Sequence, residues 1–420
     1  MLWQNPRMHA NPAEHPHDDR GAHNPRTPER GFTSRVVHPS HLEPGDPLGG
    51  MMMPTSSFKL RFDENGELVE PMDGDYGRVG NPTYNQLERQ MNLAHGAEHS
   101  VVFGSGIAAL TAVVQSLKSG DVVVAEQNTY GCTIRMLEKV FSKWGLQVHY
   151  VDFSDPSTLS RLHSLKPTIV MIESPTNPLL KVLDIEQIAQ ATKAVGAPLV
   201  VDNSFASCFL QQPLQLGATI VVESLTKYVN GHSTAMIGSA STNDPEWAKK
   251  LQFARKAVGL QPGVLEAFMT TEFIQDLELR MTRHSENALA VAMFLESLSH
   301  GSDPVVKTVR YPFLPSHPQH ELAKKQMQLG SGIVTADFNF DVPTTIRFIQ
   351  ALDPWFTLAH SIGSTKSQVS IPAAMSHASV PREQRLAVGI QDGTVRFSVG
   401  IENRKDLLQA LREALNAVRR

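Results

Sequence analysis

The chain has 420 residues, of which 41% are hydrophobic and 19% charged, and its formal net charge is −4. This length exceeds what one hydrophobic core usually serves, so we expect two packed regions plus extensions, and the composition excludes a fibrous or wholly disordered protein. A slightly acidic chain has no basic field for nucleic acid or anionic lipid, so we predict neither partner. The chain has only two cysteines, Cys132 and Cys208, and no apolar run reaches the ~20 residues that span a bilayer. We therefore predict a cytoplasmic protein without disulfides.

The first segment of the chain differs in composition from the rest. Residues 1 to about 34 are rich in Pro, His, Asn, Asp and Arg and have no apolar period, which predicts a flexible arm. Its acidic residues Glu14, Asp18 and Asp19 argue against an organelle transit peptide. We divide the chain into an N-terminal arm (1–75), a large domain (76–275) and a C-terminal domain (276–420).

From Ser100 onwards, short β-type apolar runs alternate with helix-compatible stretches. The runs lie at 101–103, 122–125, 148–151, 169–172, 199–201 and 220–222, and helical stretches include 107–117 and 185–194. This alternation predicts an α/β fold with a mainly parallel sheet covered by helices. An irregular, proline-broken region from about 256 to 330 then precedes a final block, which ends in an amphipathic helix at 405–418 and indicates a second, smaller domain.

Three groups follow predicted strands. Lys227 lies in Ser224-Leu225-Thr226-Lys227 directly after the run 220–222, and Asp202 ends the run 199–201. Two glycines in Phe103-Gly104-Ser105-Gly106-Ile107 join a strand to a helix, so that free backbone N–H groups would face an anion such as phosphate. Open α/β sheets bind ligands at the carboxyl ends of their strands. A phosphate cradle, an acid for a ring nitrogen and an amine are what a pyridoxal-phosphate (PLP) pocket requires.

The motifs resemble the Cys/Met-metabolism family of PLP enzymes, which includes cystathionine synthases and lyases. The matching segments are Asp75-Tyr76-Gly77-Arg78 with Asn81-Pro82-Thr83, Ser105-Gly106, Tyr130-Gly131-Cys132-Thr133, Glu173-Ser174-Pro175-Thr176-Asn177-Pro178, Val201-Asp202-Asn203, Ser224-Leu225-Thr226-Lys227 and Val395-Arg396-Phe397-Ser398. The resemblance implies a type I, aspartate-aminotransferase-like fold with a seven-stranded-type sheet, helices on both faces and a smaller α/β C-terminal domain. It also implies a homotetramer, a dimer of dimers with active sites shared between subunits.

The resemblance also implies a role for each matched residue. Lys227 would hold PLP as an internal aldimine, Asp202 would pair with the ring nitrogen, Tyr130 would stack on the ring, and Asn177 would lie near its phenolic oxygen. Arg396, Ser361 and Arg135 would bind the amino-acid substrate. The phosphate would be bound by Gly106, Ile107, Ser224 and Thr226, and from the neighbouring subunit by Tyr76 and Arg78. No metal ligand belongs to this set.

The resemblance implies γ-elimination or γ-replacement on a homoserine-derived or sulfur amino acid, through carbanion, ketimine and vinylglycine-type intermediates. Many members carry a Glu linked with the distal amino group where this chain has Lys366, which makes cystathionine a less favoured substrate if Lys366 faces the pocket. Arg135 matches an arginine of synthases and cystathionine lyases near the distal end of the substrate. The run 271–277 also departs from the common pattern.

Alternatives therefore stay open. The first is γ-elimination on an unusual O-linked amino acid such as canavanine. Others are another PLP reaction such as transamination or β-elimination, and a catalytically silent relative with a regulatory or assembly role. Cys132 is either a small buried residue or a reactive thiol, and His232 is predicted to be a structural hydrogen-bonding residue.

Overall fold

The computed structural model describes residues 31–39, 48–69, 76–300, 304–375 and 382–419. The predicted flexible arm lies mostly outside these residues, although helix α1 (Phe32–Val37) begins within its last three positions. Phe32 packs edge-on against Phe209 at 5.2 Å between ring centroids, and Val36 is fully buried. In the described part of the chain, no helix is long and apolar enough to cross a membrane.

The large domain contains a seven-stranded sheet that follows a small hairpin, β1 (Arg61–Phe62) and β2 (Leu68–Val69). Its strands are β3 (His99–Phe103), β4 (Val122–Glu126), β5 (Gln147–Val151), β6 (Ile169–Glu173), β7 (Leu199–Asp202), β8 (Ile220–Glu223) and β9 (Gly238–Thr242). The spatial order is β3-β9-β8-β7-β6-β4-β5, and β9 pairs antiparallel with both neighbours while the other pairs are parallel. The predicted mainly parallel sheet is confirmed.

Six of these strands coincide with predicted apolar runs, and β9 was missed. Its sequence, Gly-Ser-Ala-Ser-Thr, has no bulky apolar residue, yet all five residues are buried between β3 and β8. The side-chain hydroxyls of Ser241 and Ser100 form a hydrogen bond across the strand pair, with 2.8 Å between the two oxygens. Small side chains fit here because Ser105 and Gly106 lie directly against Gly238.

Helices cover both faces of this sheet. The remaining helices of the large domain are α2 (Pro82–His95), α3 (Gly106–Val114), α4 (Gly131–Arg135), α5 (Arg161–Leu165), α6 (Ile185–Ala194), α7 (Ser207–Leu210), α8 (Pro245–Val258) and α9 (Val264–Phe273). One core packs α3 and α8 on the sheet, and a second packs α5 and α6 on the opposite face. A π-helical turn, Met136–Val140, and 3-10 turns at Phe141–Trp144, Pro156–Ser160 and Ile274–Asp276 complete the connections.

The C-terminal region forms a second sheet with its own core. Its strands are β10 (Val306–Arg310), β11 (Ile333–Phe338), β12 (Thr357–Leu358), β13 (Gln368–Ser370) and β14 (Thr394–Ser398), in the order β10-β11-β14-β13-β12. Its helices are α10 (Leu277–Ser297), α11 (His320–Gln326), α12 (Val342–Ala351), α13 (Arg382–Ala387) and α14 (Arg404–Arg419). Apolar residues of α10, α12 and α14 pack on the sheet, so the smaller α/β unit predicted from the sequence is confirmed.

The prediction of an irregular region at 256–330 is wrong for much of its length, because α9 and the 21-residue helix α10 lie there. Helix α10 lacks a clean apolar period because some of its buried residues are polar and bind backbone carbonyls. His284 Nδ1 lies 2.7 Å from Val399 O, and Asn287 donates to Gly400 O at 3.0 Å. The helix contributes to the cores of both units, and the boundary near 275 stays a prediction.

Candidate active site

A cavity of about 470 Å³ opens at the carboxyl ends of β6, β7 and β8, where parallel sheets usually bind ligands. The N-terminus of α3 and the loop before β13 form other parts of its wall. Most of the predicted site residues line this one cavity: Lys227, Tyr130, Gly106, Ile107, Asn177, Asp202, Ser224, Thr226, Ser361, Arg396 and Arg135.

Lys227 and Arg396 are joined through a single residue, Ser361. The Lys227 amine donates to Ser361 Oγ at 2.7 Å, and Arg396 Nη2 donates to Ser361 O at 3.0 Å. Burial lowers the pKa of Lys227 to about 8, and the Arg396 guanidinium adds to this effect. Burial also lowers the pKa of Arg396 to about 10, so this side chain remains a cation at neutral pH.

Two carboxyl groups of the cavity wall, the buried Glu173 and the half-buried Asp202, lie in register on neighbouring strands. Asp202 ends β7 beside Glu173 at the end of β6. Burial raises the pKa of both groups, and for Glu173 the negative field of Asp202 raises it further. Asp202 accepts the Ser204 N–H at 3.0 Å, and Glu173 Oε2 accepts the Tyr130 N–H at 2.6 Å.

Helix α3 presents its N-terminus to the cavity. Ser105 caps the helix by accepting the Ala108 N–H at 3.1 Å, and the first N–H groups of a helix have no intrahelical acceptor. Gly106 lies so close to Ser224 that a Cβ atom would stand 2.7 Å from Ser224 Cβ. The helix therefore brings its free N–H groups against the Ser224 hydroxyl, which forms a cradle for an anion.

Other predicted residues have partners that affect their roles. Thr226 Oγ1 donates to Ile237 O at 3.0 Å and accepts the Ile237 N–H at 2.8 Å. Its hydroxyl hydrogen is therefore already used in a hydrogen bond to the backbone. Asn177 Oδ1 accepts from Arg396 at 2.9 Å, so its amide group remains for a ligand. Burial raises the pKa of Tyr130 to about 12, so its hydroxyl is protonated at neutral pH.

Tyr76 and Arg78 do not line this cavity. Both are exposed, the Arg78 guanidinium stands 5.3 Å from the Tyr76 ring centroid, and Arg78 Nη1 donates to Lys256 O at 2.5 Å. The chain therefore does not bring them to its own cavity. Their predicted role toward a neighbouring subunit's phosphate stays a prediction.

Cys132, Lys366 and His232 differ in their positions relative to the cavity. Cys132 is half-buried and lines the cavity. Lys366 is exposed and does not line it, so the condition under which it would disfavour cystathionine is not met in this chain. His232 Nδ1 lies 2.7 Å from Asn230 O, and its ring stands 4.1 Å from that of Phe273, in agreement with a structural role.

The sequence reasoning did not assign roles to several residues of the cavity wall. They are Glu173, Ser204, Phe205, Met236 and His360. Glu173 had a usable signal, because it ends a buried strand in the same way as Asp202. His360 and Met236 lie in loops, where no periodicity indicates which way a side chain points.

Comparisons with known proteins identify the family. A sequence model of the family described as Cys/Met metabolism PLP-dependent enzyme matches residues 46–416. This chain belongs to that family.

Curated relatives and solved structures of the family cover almost the whole chain. Cystathionine gamma-lyase of Bos taurus is 39% identical over 92% of this chain and 94% of its own length. Cystathionine beta-lyase of Lactococcus lactis is 38% identical over 91% of this chain and 98% of its own. The structure of cystathionine gamma synthase from Xanthomonas oryzae in complex with cystathionine superposes with a TM-score of 0.86 at 32% identity, covering 93% of this chain and 99% of that one. The type I PLP fold and a PLP-dependent lyase or transferase of transsulfuration are thereby established for this chain.

The residues present fit PLP, the cofactor of the family. The α3 cradle suits its phosphate, and Asp202 is a half-buried acid whose ionised form gains from a protonated ring nitrogen. Arg396 Nε is buried without a hydrogen-bond partner among the described residues, which leaves a donor free for a ligand carboxylate. Lys227 supplies the amine.

Proposed function

We propose that this enzyme eliminates or replaces the Cγ substituent of a homoserine-derived or sulfur amino acid, and that Lys227 is its Schiff-base lysine. The observation that carries the proposal is that Lys227 and Arg396 both donate hydrogen bonds to the same residue, Ser361. An α-amino acid whose carboxylate pairs with Arg396 then has its Cα close to the Lys227 amine. Relatives named as gamma-lyase and gamma synthase support the choice of Cγ.

The proposed mechanism uses the chain's residues as follows. Arg396 binds the substrate carboxylate, and Asn177 holds the guanidinium in place. Bound PLP supplies an electron sink for the pair left at Cα when its proton is removed. Lys227 takes that proton, because burial leaves part of its amine neutral near pH 8. After passing this proton on, Lys227 removes a proton from Cβ, and the bond to the Cγ substituent breaks so that the substituent leaves with the electron pair of that bond.

We also propose roles for the remaining predicted site residues. Tyr130 stacks on the PLP ring, and Ser361 keeps the lysine and the arginine in register. Gly106, Ile107, Ser224 and Thr226 bind the PLP phosphate, and Asp202 keeps the ring nitrogen protonated. In a homotetramer with shared active sites, Tyr76 and Arg78 of one subunit complete the phosphate site of another.

Arg135 favours a substrate with an anionic or carbonyl-bearing distal group. Arg135 and His360 line the cavity, which is also lined by the acids Glu173 and Asp202. O-Succinylhomoserine and cystathionine both carry a distal carboxylate that Arg135 would attract. Canavanine, the second candidate, ends in a guanidine-type group and lacks this anion.

A substrate panel tests the reaction. The purified PLP-loaded enzyme is incubated with O-acetylhomoserine, O-succinylhomoserine, cystathionine, methionine and canavanine, with and without thiol. We expect 2-oxobutanoate without thiol, or a thioether when a thiol replaces the leaving group. Pyruvate as the main product from cystathionine would instead establish β-elimination, and absence of turnover on every compound would favour a silent relative. Lys227→Ala is the inactive control.

The distal contact has its own test. Arg135→Gln should raise KM for O-succinylhomoserine about tenfold while changing KM for O-acetylhomoserine little, because only the first has a carboxylate at the far end. Lys366→Gln is the matched control, since Lys366 lies outside the cavity wall. Equal effects of Arg135→Gln on both substrates would contradict the proposed contact.

A further inference from the structure

A second cluster of reactive side chains is buried at the end of β8, next in the chain to Ser224. His95 at the end of α2, Cys208 in α7 and Glu223 at the end of β8 are each at most 1% exposed. Their ligand atoms, an imidazole nitrogen, a thiol sulfur and a carboxylate oxygen, all lie within 4.8 Å of one another. His95 is more than 100 positions away in the chain from Cys208 and Glu223, and packing of α2 against α7 and β8 brings the three residues together.

Hydrogen bonds within the protein do not satisfy this cluster. Both nitrogens of His95 and Oε2 of Glu223 are buried without a hydrogen-bond partner among the described residues. His95 Nε2 and Glu223 Oε2 stand 3.2 Å apart, yet they are not aligned as a hydrogen bond. The other oxygen, Oε1, accepts only a long contact from the Cys208 N–H, at 3.4 Å. Buried polar atoms without hydrogen-bond partners are unfavourable, so we expect a ligand that binds all three side chains.

We propose that His95, Cys208 and Glu223 bind a structural zinc ion. Imidazole, thiolate and carboxylate are all zinc ligands, and a neutral His with a thiolate and a carboxylate would carry two negative charges, which one Zn²⁺ neutralises. Zinc–ligand distances of about 2.0–2.3 Å put tetrahedral ligand atoms roughly 3.4–3.6 Å apart. The 3.2 Å between His95 Nε2 and Glu223 Oε2 is already close to this value, and the thiol sulfur must approach by about 1.2 Å at most.

Neighbouring cations do not already neutralise the cluster. Arg35 and Arg280 are the basic groups that act on Cys208. Arg35 Nη1 donates to Leu93 O at 2.9 Å, and Arg280 donates to Val229 O at 3.0 Å. The hydrogen bonds described for these arginines thus go to backbone carbonyls and, for Arg280, to Asp276, and none of them goes to His95, Cys208 or Glu223.

The position of the ion suggests what it stabilises. Glu223 immediately precedes Ser224, which forms the wall of the phosphate cradle, and the loop from Ser224 leads to Lys227. A zinc ion would tie the end of β8 to α2 and α7 and so fix the strand end that carries the cradle. Because the ligands are enclosed, the metal would be bound during folding and would exchange slowly.

Metal analysis of the full-length enzyme, purified without a histidine tag from zinc-supplemented cells, tests the site. We expect about one zinc per chain in the wild type and a loss of at least tenfold in Cys208→Ser and Glu223→Gln. Cys132→Ser is the matched control at the other cysteine and should keep its zinc. X-ray absorption at the zinc edge should show one sulfur ligand at about 2.3 Å.

Each other outcome overturns the proposal. Wild-type protein with only trace zinc would make the cluster a buried His–Glu pair beside an inert thiol. Loss of zinc in Cys132→Ser but not in Cys208→Ser would place the metal in the cavity instead. Should the buried variants fail to fold, the absorption spectrum of the wild type still decides, since a zinc environment without sulfur contradicts the site.

Discussion

Ser361 is the residue on which the geometry of the active site depends. Its hydroxyl accepts the Lys227 amine, its carbonyl accepts Arg396, and its φ of 109° lies where side-chain-bearing residues are rarely found. Such backbone conformations cost free energy and persist where surrounding contacts enforce them. Here the enforcing contacts include the neighbouring Gly363 N–H, which donates to Ser398 Oγ at 2.9 Å.

The assignment of Lys227 leads to a chemical prediction. After borohydride reduction of the PLP-loaded enzyme, mass spectrometry of peptides should find cofactor attached to Lys227. Lys227→Ala should show no attachment, because Lys227 is the lysine that lines the cavity in the described part of the chain. The exposed Lys366→Ala variant is the control and should be modified like the wild type. Cofactor fixed on a different lysine would refute the assignment.

The lowered pKa of Lys227 predicts how PLP binding depends on pH. A neutral amine is needed to bond with the cofactor aldehyde, and burial places the pKa near 8 in place of 10.5. The association rate of PLP with the cofactor-free enzyme should therefore rise about tenfold per pH unit below 8 and level off above it. Stopped-flow absorbance at several pH values measures this rate.

Arg396 provides the control for that experiment. Its positive charge contributes to the lowering, so Arg396→Gln should move the midpoint of the pH profile upward. Arg404→Gln removes an exposed arginine that pairs with Glu286 and should leave the midpoint in place. A wild-type midpoint near 10, or no response to Arg396→Gln, would mean that the amine is solvated and not enclosed as described.

At the scale of elements, the contact between α3 and β8 decides whether phosphate can be bound. Gly106→Ala would place a Cβ 2.7 Å from Ser224 Cβ and push the helix N-terminus away from the cradle. We expect PLP affinity to fall by at least tenfold, measured as the dissociation constant after dialysis. Gly49→Ala is the matched control, because a Cβ at Gly49 meets nothing within 4 Å. Unchanged affinity in Gly106→Ala would show that the phosphate lies elsewhere.

The pattern of apolar residues predicts strands and helices well where burial alone determines which residues are apolar. Most strands of the large sheet are buried and largely apolar, so six of its seven strands could be located within one or two residues, and helix α6 at 185–194 matches its prediction. The rule fails for β9, whose small residues are required by close packing, and for α10, whose buried polar residues bind loop carbonyls. Both depend on neighbours that are distant in the sequence.

Contacts over long sequence separations limit what the sequence reveals about the site. Asp202, Lys227 and Gly106 could be grouped because strand ends meet at one edge of a sheet. The bond between Arg396 and Asn177 joins residues 219 positions apart, and no local pattern encodes it. The resemblance supplied Arg396, Asn177 and Ser361, whereas physical reasoning alone reached only the strand ends.

For the whole molecule, the positions of Tyr76 and Arg78 predict that one chain cannot complete its own phosphate site. Both lie outside the chain's own cavity, so we expect any contact that they make with PLP to be with the cofactor of another subunit. Arg78→Ala alone should weaken PLP retention, and Lys227→Ala alone should abolish activity. In a hybrid dimer of the two variants, the site with the intact lysine receives its arginine from the other chain and is fully native.

Mixing these two variants after mild unfolding should therefore restore activity at a PLP concentration too low to load Arg78→Ala alone. Random pairing makes half of the dimers hybrids with one native site each, so about a quarter of wild-type activity is expected. A double variant, Arg78→Ala with Lys227→Ala, mixed with Lys227→Ala is the control and should stay inactive, because no intact lysine is present. If the first mixture recovers no activity although native mass spectrometry confirms hybrid dimers, Arg78 acts only on the PLP site of its own chain. Shared sites would require activity in the hybrids.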